Sequence, residues 1–182
     1  MKRRLLLLPL VLAMLAAAAP AAAAIGGPFN MVDQNGRPVT EHDLLGRPSA
    51  IFFGYTFCPE VCPNTLVRFG HWLKVLGPAG DRLNVVFVTV DPKRDTPRQM
   101  RDYLTSFDPR IRGFTGSAAE VDRMAKAYGV YYARVPQRGG GYSVDHSASI
   151  YLMDAGGRFV EPIGYGESED QALASLRRVL GR

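Results

Sequence analysis

The sequence predicts an α/β fold in which a central mixed sheet is flanked by helices. Two runs, residues 49–55 and 84–90, are almost continuously apolar, as expected of strands that are buried on both faces. Helical periodicity and helix-capping motifs occur between and after these runs, and this alternation is typical of a sheet covered by helices on both sides. The chain beyond residue 24 has about 158 residues, which is the size of one domain.

The N-terminal part of this domain is predicted to form a β-hairpin that leads into the first buried strand. Residues 29–33 read as a strand, and the Asn35 and Gly36 pair that follows is favoured in type I′ turns, so residues 38–40 are expected to return beside it. Thr40 and Asp43 are placed to cap a short turn at residues 41–45. The buried strand at residues 49–55 then forms the centre of the sheet.

Helices are predicted wherever apolar periodicity or a capping box begins. Leu66, Phe69, Leu73 and Leu76 recur at intervals of three and four residues and form one apolar helical face. Three further helices begin at the capping boxes of residues 96–99, 117–120 and 168–171. Short strands are predicted at residues 112–115 and 131–135, and a closing pair at residues 147–153 and 158–162. A closing hairpin followed by a helix is similar to the layout of thioredoxin-like folds.

The first 24 residues have the order of a secretory signal. Lys2, Arg3 and Arg4 precede an apolar run at residues 5–19, and small residues follow up to Ala24. The alternative is an uncleaved membrane anchor, because residues 5–24 are just long enough to span a bilayer. Under either interpretation residues 25–182 are expected in the periplasm or another extracytoplasmic compartment, with membrane association through the N-terminus in the second case.

The charge of the chain does not indicate a nucleic-acid partner. The formal net charge is +5, but without the three basic residues of the leader 19 Lys and Arg face 17 Asp and Glu, a net charge of +2. Nucleic-acid-binding domains usually carry a clustered basic patch. The best cluster, Lys93, Arg94 and Arg98, is small and is either a docking face or solvated surface, of which solvated surface is the preferred interpretation.

Two cysteines, Cys58 and Cys62, lie in a short segment between the first buried strand and a helix. Pro63 suits the first position of that helix, which would make Cys62 its cap, and each cysteine precedes a proline, which favours an irregular loop. A helix N-terminus favours thiolate over thiol. Two thiolates on one short loop can chelate a single metal ion, since closing the loop costs little chain entropy.

The cysteine pair has two alternative interpretations. A structural disulfide is common in exported proteins, although a bridge over so short a loop constrains the unfolded chain little. The other alternative is a redox pair, with Cys58 and Cys62 as the catalytic thiols of a thiol–disulfide oxidoreductase. Such proteins normally have two residues between their cysteines, and this chain has three.

One histidine and one aspartate are candidates for the same site. His42 is expected on the surface, and His71 is expected to be exposed or half-buried. His146 lies where a loop meets an apolar strand, and sites gather at strand ends in α/β sheets. His146 is either a ligand or a histidine satisfied by Asp145 or by backbone. Asp91 ends the second buried strand and is either an outer-sphere hydrogen-bond acceptor near the site or an acceptor for backbone N–H groups of its own loop.

Three segments together resemble one protein family. Residues 54–63 resemble the cysteine segment of Sco/SenC proteins, residues 90–97 resemble the second block of that family, and residues 145–148 resemble its histidine block. The resemblance implies a thioredoxin-like fold and one copper ion bound by Cys58, Cys62 and His146. It also implies a role in assembling the copper centres of cytochrome c oxidase, with the copper-bearing subunit or another copper chaperone as the partner.

Two functions from different classes follow from these observations. The first is a copper metallochaperone, since thiolates suit Cu(I) and imidazole suits both copper states, whereas structural zinc normally requires a fourth protein ligand. The second is a thiol–disulfide reductase that keeps the copper-ligand cysteines of a partner reduced. The two are linked, because a disulfide between Cys58 and Cys62 cannot bind the metal.

Overall fold

A computed structural model describes residues 24–181, in which a seven-stranded mixed sheet is flanked by helices. The predicted leader lies outside the described residues except for Ala24. The strands are β1 (Asn30–Asp33), β2 (Pro38–Thr40), β3 (Ser49–Gly54), β4 (Asn84–Thr89), β5 (Ile111–Thr115), β6 (Tyr132–Pro136), β7 (Tyr142–His146), β8 (Ile150–Met153) and β9 (Phe159–Ile163). The α-helices are α1 (Val61–Leu76), α2 (Pro97–Leu104), α3 (Ala118–Ala127) and α4 (Glu169–Leu180), and 3-10 turns occupy Glu41–Leu44 and Gly77–Arg82.

The order of strands in the main sheet places the loops after β3 and β4 side by side at the same end of the sheet. The order is β2-β1-β5-β4-β3-β8-β9, with β3, β4 and β5 mutually parallel and the other neighbours antiparallel. Every residue of β3 and β4 is buried, as their apolar runs predict. Gly54 pairs with Thr89 at the carboxyl ends of these strands. The cysteine loop after β3 therefore lies beside the Asp91 loop after β4.

The hairpin of β6 and β7 forms a separate two-stranded sheet; β6 confirms the strand predicted at residues 131–135, whereas β7 was not predicted. Tyr132 pairs with His146 at one end of the hairpin. His146 thus ends a strand instead of preceding one, and the next strand begins at Ile150 rather than at Ser147. The hairpin has a weak sequence pattern because Val144 is the one buried residue of β7.

The turn between β1 and β2 also differs from the prediction. Only Gly36 has a positive φ, of 78°, whereas a type I′ turn requires positive φ at both central residues. The Gly36 N–H donates to the Asp33 carbonyl, which makes residues 33–36 a type I turn closed by a left-handed glycine. The Asp33 carboxylate accepts from the N–H groups of Asn35 and Arg37 at 2.8 and 2.9 Å and so stabilises this shape.

Helix starts were predicted with mixed accuracy. Helix α1 begins at Val61, so Cys62 is its second residue and not its cap. Pro63 is the third residue of the helix and is tolerated there because the first-turn amides of a helix have no intrahelical acceptor. At α2 the Thr96 hydroxyl accepts from the Gln99 N–H, but the Gln99 side chain donates to Thr56 instead of completing the capping box.

The remaining elements agree with the predicted layout. The capping boxes at Ser117 and Ser168 are both formed. The N-terminal hairpin, the flanking helices and the closing hairpin followed by α4 give the thioredoxin-like arrangement that was expected. Within residues 24–181, the helices are all too short or too polar to cross a membrane.

Candidate metal centre

The structure brings together the three residues that the sequence singled out as ligands. The sulfur atoms of Cys58 and Cys62 and a ring nitrogen of His146 all lie within 4.8 Å of one another, and they are the one such group found in the described residues. The Cys62 Sγ lies 3.6 Å from the His146 Nε2. His42 and His71 are exposed, as predicted, and His71 pairs with Glu169 at 3.0 Å.

The two cysteines have different surroundings. Cys58 lies in the loop after β3, is half-buried, and donates its N–H to the Tyr55 carbonyl at 3.2 Å. Cys62 lies in the first turn of α1 and is fully buried. The Cys62 N–H donates to the Cys58 Sγ at 3.4 Å. Both are free thiols here, so the disulfide alternative is not the state that the structure describes.

Their shared hydrogen bond divides the two thiols into one thiolate and one protonated thiol. Donation from the Cys62 side chain is the main cause that lowers the pKa of Cys58 to about 4, and the backbone N–H of Cys62 adds to it. The same hydrogen bond, burial and the charge of Cys58 raise the pKa of Cys62 well above its ordinary value. A metal ion that binds both sulfurs must therefore displace the Cys62 proton.

His146 is oriented by its backbone and by two aromatic rings. Its Nδ1 lies 2.9 Å from the Ser147 carbonyl, which assigns the proton to Nδ1 and leaves the Nε2 lone pair facing the Cys62 sulfur. The rings of Phe52 and Tyr55 lie edge-on to the imidazole, with centroids 6.2 and 5.9 Å away. Backbone thus satisfies one ring nitrogen, and the other remains available to a ligand.

Gly54 contributes to the site in a way that sequence reasoning missed. A Cβ at this position would lie 2.6 Å from the Cys62 Sγ and 2.7 Å from the Phe87 Cε2, so any other residue here would push against the sulfur. The available signal was a glycine at the end of an apolar strand, which marks a close backbone or ligand approach.

Asp95 lies directly before the Thr96 cap of α2, and its side chain fixes the cysteine loop. Its buried carboxylate accepts from the Thr56 N–H at 3.0 Å, from the Thr56 hydroxyl at 2.7 Å and from the Thr89 hydroxyl at 2.7 Å. Burial is the largest influence on this carboxyl and raises its pKa. No local pattern predicts this contact, because Thr56 and Asp95 lie 39 residues apart.

Asp91 is linked to the site indirectly. Its fully buried carboxylate accepts from the Arg94 Nε and from the Tyr142 hydroxyl, at 2.8 Å to the nearer oxygen. Among the described residues its carboxylate hydrogen bonds go to these side chains and not to Cys58, Cys62 or His146. Arg94 contacts Phe57 beside Cys58, and Tyr142 lies on the strand that ends at His146, so both connect Asp91 to segments that carry candidate ligands.

The donor set fits a soft or borderline cation. Two thiolates select Cu(I), and imidazole binds copper or zinc. A structural zinc site normally has four protein ligands, and here the group of possible ligands contains three residues within the described part of the chain. Half-burial of Cys58 and His146 leaves one side of the group accessible to a partner.

Comparisons with known proteins agree with this site. A family model described as SCO1/SenC matches residues 17–181. The mitochondrial protein Sco1 of Saccharomyces cerevisiae is 42% identical over 155 residues, which cover 84% of this chain and 52% of the relative. The SCO2-like protein RC0895 of Rickettsia conorii is 36% identical over 155 residues, which cover 84% of this chain and 76% of the relative. The chain spans about half the length of the yeast relatives it matches.

Solved structures give the same result. Copper-bound ScoI of Bradyrhizobium japonicum has a TM-score of 0.80 and 47% identity, with 86% of this chain and 99% of that chain covered. Copper-bound yeast Sco1 has a TM-score of 0.80 and 39% identity, with 87% and 89% covered. A family model over nearly the whole chain and relatives above 30% identity support one conclusion: the chain belongs to the SCO1/SenC family.

Proposed function

We propose that this chain is an exported metallochaperone that binds one copper ion through Cys58, Cys62 and His146. The observation that carries the proposal is the convergence of two sulfurs and one imidazole nitrogen within 4.8 Å, from segments up to 88 residues apart in the sequence. The copper-bound structures of two relatives support the choice of metal. Copper is the cargo of such a protein, so the site has to release the ion as well as bind it.

The three donors suit both oxidation states of copper. The thiolates of Cys58 and Cys62 satisfy Cu(I), and the imidazole of His146 adds a harder donor that favours Cu(II). Cys58 needs no deprotonation near neutral pH because its pKa is lowered to about 4. Binding then displaces one proton, from Cys62, and release of the ion restores it.

The recipient that fits this cargo is the copper-bearing subunit of cytochrome c oxidase, or another copper chaperone in the same path. The Sco/SenC resemblance supports this choice, since proteins of that family serve the assembly of these copper centres. The leader at residues 1–24 supports a periplasmic or other extracytoplasmic location. N-terminal sequencing of the mature protein distinguishes a cleaved signal from a retained anchor.

A titration of ligand variants tests the copper site. Wild type is expected to bind one equivalent of copper under anaerobic conditions, and Cys58→Ser and Cys62→Ser to lose affinity for both oxidation states. His146→Ala is expected to lose Cu(II) affinity by at least the roughly 10- to 100-fold that removal of an outer-sphere partner costs. His71→Ala is the matched control, because His71 is exposed and pairs only with Glu169 among the described residues. Full Cu(II) affinity and an unchanged spectrum in His146→Ala would contradict the proposal.

The asymmetry of the two thiols favours a second function, a thiol–disulfide reductase for the copper-ligand cysteines of a partner. Cys58 is half-buried with a lowered pKa, as a nucleophile requires, and Cys62 is a buried thiol beside it. The Cys58 thiolate would attack a partner disulfide and form a mixed disulfide, while one partner thiolate leaves and is protonated. Cys62 would then lose its proton and attack the Cys58 sulfur, which releases the second partner thiol and leaves a Cys58–Cys62 disulfide.

The reductase function is tested without metal. A reduced, copper-free chain is expected to reduce one disulfide per molecule in a peptide that carries two cysteines. Cys62→Ser is expected to stop at the mixed disulfide, which mass spectrometry detects. If the peptide remains oxidised in the presence of the reduced chain, this second function is ruled out. That result does not affect the copper-binding proposal.

A further inference from the structure

One guanidinium lies between the segment that carries the cysteines and the hairpin that carries the histidine. The Arg94 Cζ lies 4.8 Å from the ring centroid of Phe57 and 4.0 Å from that of Tyr142. Phe57 immediately precedes Cys58, and Tyr142 begins β7, the strand that ends at His146. A single side chain therefore contacts both parts of the candidate metal centre.

Arg94 is held in this position by a buried carboxylate. Its Nε donates to Asp91, whose side chain is fully buried, and its Nη1 donates to the Tyr142 carbonyl at 3.0 Å. The Tyr142 hydroxyl donates to the same carboxylate, and Arg134 on the facing strand β6 lies 3.5 Å from it. The Asp91 carboxylate follows β4, and a buried charge is costly when its partners are removed. Movement of Arg94 or Tyr142 away from it is therefore unfavourable, which fixes Arg94 and the hairpin relative to β4.

The hairpin of β6 and β7 depends on side-chain contacts for its position in the domain. Strands β6 and β7 form their own two-stranded sheet and do not join the backbone ladder of the main sheet. An isolated hairpin is only marginally stable, so its position depends on side-chain contacts with the rest of the domain. One of these contacts is the stack of Arg94 between Tyr142 of the hairpin and Phe57, the residue before Cys58.

We propose that Arg94 is a positioning residue that couples the cysteine loop to the His146 hairpin through Phe57 and Tyr142. In this role it sets the approach of the His146 Nε2 to the Cys62 Sγ, which lie 3.6 Å apart. The inference rests on the proposed copper site. Arg94 acts through its neighbours, because its hydrogen bonds among the described residues go to Asp91 and Tyr142 and not to a candidate ligand.

The coupling has a distinct consequence for the two copper states. Two thiolates on one loop and helix turn can retain Cu(I) when the hairpin shifts, since both sulfurs are on the same segment. Cu(II) depends on the imidazole as well. Loss of the Arg94 stack is therefore expected to weaken Cu(II) binding selectively, whereas general loss of folding would weaken both.

The test compares two arginines with the same conservative change. Arg94→Lys keeps the positive charge but removes the planar group that stacks and donates in two directions. Arg98→Lys is the control, because its side chain is 85% exposed and pairs with Asp102 on α2. We expect Arg94→Lys to raise the Cu(II) dissociation constant about 10- to 100-fold, the range for outer-sphere partners of metal ligands. Its Cu(I) affinity and both affinities of Arg98→Lys are expected to stay at the wild-type values.

Equal losses for both copper states in Arg94→Lys, or no loss for either, would overturn the inference. Phe57→Leu provides a second variant if Arg94→Lys does not fold, because Phe57 is 52% exposed and its ring forms one side of the stack. It is expected to weaken Cu(II) binding in the same selective way, and an unchanged Cu(II) affinity would also refute the coupling. His146→Ala is measured in parallel. If it binds Cu(II) normally, the proposed site itself fails, whereas an impaired His146→Ala with a normal Arg94→Lys refutes only the role of Arg94.

Discussion

Substitution of Gly54 by alanine should move one candidate metal ligand, the Cys62 sulfur, without changing its chemistry. The added Cβ would lie 2.6 Å from the Cys62 Sγ, whereas non-bonded carbon contacts are optimal at about 3.5–4.0 Å. The sulfur therefore has to shift by roughly 1 Å. Rotation of the Cys62 side chain can provide that shift, but it changes the 3.6 Å approach to the His146 Nε2.

The cost of this change has two parts that can be measured separately. Added volume in a packed core typically lowers the free energy of unfolding by about 1–3 kcal/mol. Displacement of the ligand should lower copper affinity in addition, by about 10- to 100-fold as for other changes that misplace a metal ligand. Denaturant unfolding measures the first part, and a competition titration with a copper chelator measures the second.

Gly113 provides a matched control for the packing cost. Gly113 lies on strand β5, and a Cβ at this position would lie 2.7 Å from the Leu104 Cδ1 and 3.0 Å from the Met100 Cε. Gly113→Ala should destabilise the fold less than Gly54→Ala, because both contacts are with the ends of flexible side chains, and it should leave the copper affinity unchanged. If Gly54→Ala binds copper as tightly as Gly113→Ala, the close approach of the backbone to the sulfur does not determine its position, and the reasoning is refuted.

Three further predictions concern the thiol pair and the loop that carries it. Alkylation of the metal-free protein by iodoacetamide is expected to occur at Cys58 with a midpoint near pH 4, and a midpoint near pH 9 would contradict the assignment of the thiolate. The pKa of Cys58 is lower in the folded chain than its ordinary value of 9.0. Between about pH 4 and pH 9 the unfolded chain therefore binds more protons at this thiol than the folded chain does. The contribution of the thiol to the free energy of unfolding should accordingly rise over this pH range. Asp95→Asn should lower the free energy of unfolding by about 1–3 kcal/mol, because it disturbs three buried hydrogen bonds. Asp102→Asn, with a side chain that is 58% exposed, should change it by no more than about 0.5 kcal/mol, and equal effects in the two variants would argue against the role of Asp95.

Local signals in the sequence were sufficient for most of the fold. The apolar runs of β3 and β4 identify strands buried on both faces, and both strands are fully buried. The capping boxes at Ser117 and Ser168 identify helix starts because the cap and its partner lie within one turn. These features depend on neighbouring residues alone, so the sequence pattern and the structure agree.

Features that depend on distant contacts were not predictable in the same way. The hairpin of β6 and β7 is held by Arg94 and Tyr142 and not by an apolar pattern of its own, so its second strand was missed. Cys62 lies inside α1 because the helix begins at Val61. This start was not predictable from a capping motif, because the cap residue, Glu60, makes no side-chain capping hydrogen bond. Cys62 and His146 meet although 84 residues separate them, and only the family resemblance indicated that they would.

X-ray absorption spectroscopy at the copper edge tests the ligand set most directly. For the chain loaded with Cu(II), we expect two sulfur scatterers and one imidazole nitrogen in the first shell. The imidazole contribution should disappear in His146→Ala and persist in His71→Ala. A first shell without sulfur, or an imidazole signal that survives in His146→Ala, would contradict a copper site built from Cys58, Cys62 and His146.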